Sequence, residues 1–309
     1  MIVTVTMNPA LDKTAQLKQL IPGALNRLER VRIDAGGKGV NVSRMIRALG
    51  GQSVCAGFAA GASGRDLCQR IELLGVRQKF LFLDGATRTN LKIVDANGML
   101  TELNEPGITA SEEDLSALLE QVIELAGLGG IVVLSGSLPQ GAKHDTYYRF
   151  IKALKQTGCT VLLDADADAF RSALDARPHV IKPNRYELLQ YYGLPSDTAD
   201  SELPDLCQGI LDKGVEWLVL SLGSDGAMFF TPKQRVRANA LPLTVRSTVG
   251  AGDSMVGALA FALERGLPFE DTVRLAMASS NGAVTTEGTN PPAKELVNEL
   301  ANQIVLKPI

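Results

Sequence analysis

The feature that most constrains this chain is a repeated alternation of two patterns. Short runs apolar on both faces alternate with longer segments whose apolar residues recur every three to four positions. Ile131–Leu134 is such a run, Val161–Leu163 and Trp217–Leu220 look similar, and Ile2–Thr6 and Ser53–Phe58 also read as strands. A strand apolar on both faces needs cover on both faces, and helices supply it. The helical segments are Val40–Leu49, stopped by Gly50 and Gly51, and Arg65–Leu74, ended by Gly75. Leu115–Ala126 follows, with Ser111 and Asp114 as a start of capping-box type. Then come Asp145–Lys155, Glu187–Tyr192, Asp205–Lys213, Gly252–Glu264, Asp271–Thr285 and Lys294–Ile304. The alternation predicts an α/β fold, a doubly wound, mostly parallel sheet flanked by helices. At 309 residues this reads as a single domain over 1–309.

Two segments break the rhythm. Thr14–Asp34 and Thr89–Leu103 read as short strands with no crossover helix, and Asp95-Ala96-Asn97-Gly98 is a hairpin turn signal. They predict a small β-sheet lid, from about 13–35 and 87–104. A partner copy that covers its apolar residues, such as Leu28–Ile33, would make a homodimer through the lid.

Charge and composition narrow the partners. Lys plus Arg is 31 against 34 Asp plus Glu, a net charge of −3. That argues against nucleic acid or an anionic membrane, while leaving room for a local basic pocket. Cys55, Cys68, Cys159 and Cys207 form no C-x-x-C and read as reduced thiols of a cytoplasmic protein. Met1–Met7 lacks the basic flank and long apolar stretch of a signal peptide. The longest uncharged stretch, Leu125–Ala142, holds five glycines and Pro139, so a buried strand and loop are expected, not a membrane span. The two histidines, His144 and His179, sit in no chemical motif and read as surface residues.

Four segments can carry chemistry. In Ser247-Thr248-Val249-Gly250-Ala251-Gly252-Asp253-Ser254-Met255, small residues open a helix. This is either a glycine-rich N-cap with an acid in its first turn, or an anion nest of backbone N–H groups beside a general base. It is neither G-x-G-x-x-G nor a Walker A loop. Gly36-Gly37-Lys38-Gly39-Val40-Asn41 is either a flexible turn with a solvated lysine, or a surface a sugar phosphate approaches closely. Ser221-Leu222-Gly223-Ser224-Asp225-Gly226 follows an apolar strand, where α/β sheets bind ligands, or is a turn into a hairpin. In Lys182-Pro183-Asn184-Arg185-Tyr186-Glu187, Asn184 and Glu187 share one helical face; they meet phosphate and hydrated Mg²⁺, or Asn184 is an N-cap. Asp12 either caps a turn or binds two sugar hydroxyls. Arg27 and Arg88 are solvated lid charges or phosphate forks.

Together, Gly36–Asn41 and Gly250–Asp253, with their order and separation, resemble the PfkB, or ribokinase-like, family of sugar kinases over essentially the whole chain. Thr6–Asp12, Leu25-Asn26-Arg27, Thr87–Asn90, Ser135–Pro139 and Ser247 in place of Asp are similar to the branch that acts on sugar phosphates. The resemblance implies transfer of the γ-phosphoryl of ATP, with Mg²⁺, to a ketohexose phosphate. Fructose 1-phosphate phosphorylated at C6 comes first; tagatose 6-phosphate or fructose 6-phosphate phosphorylated at C1 is the alternative. By position it makes Asp253 the base and Gly250, Ala251 and Gly252 the anion hole. Asp12, Gly37 and Asn41 would hold sugar hydroxyls. Lys38, Arg27 and Arg88 would hold the existing phosphate, with Asn90 and Ser137 nearby. Asn184, Ser221, Gly223, Gly226, Thr248 and Asn281 would line the nucleotide site, and Glu187 would organise Mg²⁺ through water.

Overall fold

The computed structural model describes residues 1–165 and 167–309. The chain opens with β1 (Ile2–Thr6), β2 (Ala10–Gln16), β3 (Arg30–Gly36) and α1 (Lys38–Ala48). β4 (Ser53–Ala60), α2 (Gly61–Leu73), β5 (Arg77–Leu83), β6 (Arg88–Val94) and β7 (Leu100–Asn104) follow. Next are α3 (Glu112–Ala126), β8 (Ile131–Ser135), α4 (Thr146–Gln156), β9 (Thr160–Asp164) and α5 (Ala167–Leu174). β10 (Val180–Ile181), α6 (Arg185–Tyr192), α7 (Leu203–Leu211), β11 (Trp217–Ser221), β12 (Ala227–Phe230) and β13 (Arg235–Ala238) continue it. α8 (Ala251–Glu264), α9 (Phe269–Ala283), α10 (Lys294–Ala301) and β14 (Leu306–Pro308) complete it.

The main sheet has ten strands in the order β14-β13-β12-β11-β10-β9-β8-β1-β4-β5. From β11 to β5 neighbouring strands are parallel, and β12, β13 and β14 add an antiparallel edge. β1 is buried along its whole length, and its alternate residues feed two cores. Val3 and Val5 pack with Phe58, Leu134 and the faces of α3 and α4; Ile2 packs with α1, α8 and α9. That is the expected doubly wound α/β sheet. β5 and α5 are among the elements that escape the sequence pattern. β5 is a half-exposed edge strand that begins Arg-Gln-Lys, and α5 has only eight residues, so neither carries a long apolar signature.

β1 pairs with β4 on one side and β8 on the other, so the chain reverses its winding there. The crevice beyond the carboxyl ends of such strands is where α/β folds bind ligands. Over it lies a second sheet, β3-β2-β6-β7. It begins at Ala10, a little before the expected boundary, and Asp95–Gly98 makes the turn between β6 and β7, with Asp95 N–H bonded to Met99 O. Its strands put polar Asp12, Asn90, Lys92 and Glu102 on the crevice side, and Leu11 and Ala35 against a third core with α2. The Leu125–Ala142 stretch holds β8 and a loop, as expected. Among the described residues, no helix is long and apolar enough to cross a membrane.

Candidate active site

α8 begins at the Gly250-Ala251-Gly252-Asp253 segment. Gly250 is its N-cap at φ +83°, a conformation open to glycine, and no side chain caps the helix. The first intrahelical bond runs from Ser254 N–H to Gly250 O, 2.9 Å. The preceding amides of the turn therefore face out of the helix end, where the helix dipole adds positive potential. Thr289 packs behind Gly250, with its Cα 3.3 Å from where a Cβ on Gly250 would lie. Two glycine positions and an alanine thus leave an open, positively polarised nest.

Asp253 projects from the same turn and is buried. Its Oδ2 accepts the Asn41 side-chain amide at 2.8 Å, across 212 residues of chain. α1 and α8 cross closely enough that Met45 Cβ lies 2.8 Å from the place of a Cβ on Gly257. One turn away, the same approach brings Asn41 to Asp253. Burial pushes the Asp253 carboxyl up to about 6, and the nearby Asp164 charge adds to it; Asn41, Lys38 and Lys182 pull the other way. A carboxyl so placed takes up a proton near neutral pH.

Asp164, at the end of β9, carries two ammonium partners on one oxygen: Lys182 Nζ at 3.3 Å and Lys38 Nζ at 3.5 Å. Its burial opposes ionisation, but the two lysines outweigh it and hold the carboxyl below the usual range. Lys182 Nζ also stands 3.3 Å from the place of a Cβ on Gly252, beside the nest. A buried cation and the first turn of α8 therefore face the same point.

The other wall is a cavity of about 330 Å³ bounded by Asp12, Gly37, Lys38, Asn41, Arg88, Asn90, Ser137, Gly250 and Asp253. The polar side chains on its walls, among them Asp12, Lys38, Asn41, Arg88, Asn90 and Ser137, suit a ligand rich in hydroxyl groups. The sequence profile described as pfkB family carbohydrate kinase matches residues 5–296. The chain belongs to the pfkB family of carbohydrate kinases.

Relatives of this carbohydrate kinase run its full length. A 1-phosphofructokinase of Vibrio cholerae serotype O1 is 36% identical, covering 98% of this chain and 95% of that protein. A 1-phosphofructokinase of Bacillus subtilis is 33% identical, covering 97% and 98%. Among solved structures, phosphofructokinase-2 from Escherichia coli in complex with potassium superposes with a TM-score of 0.93 at 30% identity, covering 98% of each chain.

Gly36, Gly37 and Gly39 carry the chain from β3 into α1, and Gly37 lines the cavity. They leave room for the chain's own side chains. A Cβ on Gly36 would lie 2.6 Å from Asp12 Cγ, one on Gly37 2.6 Å from Thr6 Cγ2, and one on Gly39 2.3 Å from Thr6 Oγ1. They seat Asp12 and Thr6 at the cavity. Arg27 is exposed on the segment between β2 and β3 and lines neither this cavity nor the adjoining one. Arg88 does line the cavity, and also braces it by donating to Asn8 O and Glu105 O.

On the nucleotide side, Asn184, Ser221 and Gly223 meet at the carboxyl ends of β10 and β11, where Asn184 bridges Ser221. Asn184 is indeed an N-cap. Its Oδ1 accepts the Glu187 N–H at 2.8 Å, and Glu187 Oε2 accepts the Asn184 N–H at 2.9 Å. Burial raises the Glu187 carboxyl, and the Asp164 charge adds to this against Asn184, Lys182 and Lys38. Three other positions have structural settings of their own. Asn281 has its amide committed to the fold, accepting Leu241 N–H and donating to Met277 O. Gly226 has φ +88° and Ala238 O 2.1 Å from the place of its Cβ, so the hairpin itself demands glycine. Thr248 lines a larger cavity of about 580 Å³ under the lid sheet, with Arg32 and Glu287.

His144 is exposed as expected, but His179 is half-buried: its Nδ1 accepts the Val161 N–H at 3.0 Å, and burial lowers its pKa. All four cysteines are free and buried. Thr6 and Asn8 lie in Thr6–Asp12, and Lys182 in Lys182–Glu187, yet no role is legible for them there; Asp164 and Lys92 lie in no chemical motif. Only strand order brings the five together.

Proposed function

We propose that this kinase transfers the γ-phosphoryl group of ATP to the C6 hydroxyl of D-fructose 1-phosphate, giving fructose 1,6-bisphosphate and ADP. The observation that carries the reading is the juxtaposition at Gly250–Asp253: a buried carboxyl and the first turn of α8 on the wall of a cavity lined by polar side chains. Full-length relatives named 1-phosphofructokinase support the choice of acceptor.

Asp253 takes the proton as the C6 oxygen attacks the γ-phosphorus. The bond from phosphorus to the β–γ bridging oxygen breaks, and its electron pair leaves with ADP. The Gly250–Gly252 amides and Lys182 stabilise charge on the transferring group. Asp12, Asn41, Asn90, Thr6 and Asn8 hold hydroxyls, while Arg88, Lys38 and Ser137 face the existing phosphate. Closure of the lid sheet excludes water, which would otherwise accept the phosphoryl group.

Mg²⁺ accompanies the nucleotide in this reading. Among the described residues, no group of three His, Cys, Asp or Glu could hold a metal. Glu187 would organise such an ion through water, and when bound the ion would neutralise charge on the transferring phosphoryl. Leu25, Leu28, Val31 and Leu103 are exposed on the lid, so a second copy covering that sheet gives a homodimer. Light scattering on the purified chain tests this, and a monomer refutes it.

The function is tested by ADP release with Mg-ATP against fructose 1-phosphate, fructose 6-phosphate, tagatose 6-phosphate and fructose, compared as kcat/KM. The highest value is expected for fructose 1-phosphate. A preference for a 6-phosphate overturns the named acceptor; turnover of fructose alone overturns the phosphate site.

A further inference from the structure

Lys92 lies in none of the chemical motifs, yet its setting is unusual for a lysine. It projects from β6 of the lid sheet with its side chain only 13% exposed, and its Nζ lies 3.0 Å from Asp12 Oδ2. The Asp12 side chain, on neighbouring β2, is 11% exposed. Oδ1 of the same carboxylate accepts the Asn90 amide at 3.0 Å. Glu102 on β7 is a second acid before the ammonium, with Oε1 at 3.9 Å.

Register explains the convergence. Asp12 is paired with Asn90, while Lys92 is paired with Thr14 and with Glu102. Lys92 therefore leans two residues along β2 to reach Asp12, although Glu102 stands directly opposite. It lines both the acceptor cavity and the larger one beside it.

A carboxylate this sheltered needs a compensating charge, and removing one partner of a buried pair leaves the other uncompensated. One donor on each oxygen also fixes the carboxylate plane. Each oxygen keeps a further lone pair. The held group thus presents two acceptors side by side, a spacing that matches two adjacent hydroxyls. Gly36 supplies the room for it to lie this way.

We propose that Lys92 is a positioning residue for the acceptor: through its ion pair with Asp12, it orients that carboxylate toward two adjacent hydroxyls of the sugar. The proposal rests on the reading of the acceptor as a sugar phosphate. Lys92 then acts on acceptor binding through Asp12, without touching ATP or the proton transfer.

The experiment compares wild type, Lys92→Met, Lys92→Arg, Asp12→Asn and the Asp12→Asn/Lys92→Met double variant, each with KM and kcat for fructose 1-phosphate and for Mg-ATP. Lys92→Gln replaces Lys92→Met if the latter does not fold. Lys92→Met should raise the acceptor KM about tenfold with the ATP KM unchanged, and Lys92→Arg should recover most of that loss. Because Lys92 works through Asp12, the double variant should be no worse than Asp12→Asn alone. A double variant whose loss is the product of the two single losses means that Lys92 contacts the acceptor itself, and overturns the proposal. So does an equal rise in the ATP KM, or Lys92→Arg as impaired as Lys92→Met. If wild type does not turn over fructose 1-phosphate, the acceptor reading fails; the same variants on whichever ketose phosphate it does accept still decide the role of Lys92.

Discussion

Replacing Asp253 with Asn separates the chemistry of the site from the stability of the fold. Asp253 is 8% exposed, and burial, with Asp164 behind it, moves its carboxyl from 3.8 to about 6. Keeping it ionised therefore costs the folded state about 3 kcal/mol, at roughly 1.4 kcal/mol per pH unit. Between these two values the folded chain binds a proton that the unfolded chain has released. The favourable contribution is complete below about pH 4 and is lost as pH rises through about 6. Asn has nearly the same shape, carries no charge, and keeps an oxygen for the Asn41 amide. Asp253→Asn should then be more stable than wild type at pH 8, by up to about 3 kcal/mol. At about 2 cal/mol/K per residue, that is a rise of about 5 °C in Tm for a chain of this length. Most of the gain should be gone at pH 4.5.

The same substitution should lower kcat by about 10²- to 10⁴-fold while Mg-ATP binding is retained. In the wild type, log kcat/KM should climb with unit slope to about pH 6 and then level. Scanning calorimetry of both proteins at pH 4.5 and 8, with the coupled ADP assay across pH, measures all of this. A variant no more stable than wild type at pH 8, or equally favoured at both pH values, refutes the buried-charge argument. Unchanged turnover refutes the assignment of the base.

Three further outcomes are expected. Gly36→Ala sets a Cβ 2.6 Å from Asp12 Cγ and must displace that carboxylate, so the acceptor KM should rise about tenfold while the ATP KM stays put; steady-state kinetics with each substrate varied checks it. Glu187→Gln keeps the capping interaction with Asn184 but loses the charge, so the Mg²⁺ concentration for half-maximal rate should rise several-fold; an unchanged Mg²⁺ titration leaves Glu187 as a cap only. Gly226→Ala meets both a positive φ and Ala238 O at 2.1 Å, so it should destabilise by about 2 kcal/mol or more, read as a Tm lower by about 3 °C.

What the sequence determined by itself is what depends on neighbours along the chain. Helix period, doubly apolar strands and the Ser111–Asp114 capping box are set within a few residues, and each is legible without a partner. The Gly250–Asp253 nest belongs here too, because a helix start exposes amides whatever packs around it. Tertiary structure decided everything that joins distant segments. Asn41 reaches Asp253 only because α1 and α8 cross at Gly257. Asp164 gains Lys38 and Lys182 only because β9 and β10 end beside the start of α1. The glycines of Gly36–Gly39 read equally as a ligand loop or a turn, until Asp12 and Thr6 are seen in the space their missing side chains leave. Arg27, by contrast, has the same local chemistry as Arg88 and ends outside the cavity. A side chain's chemistry is written in its residue type, but its partners are set by the order of the strands that carry them.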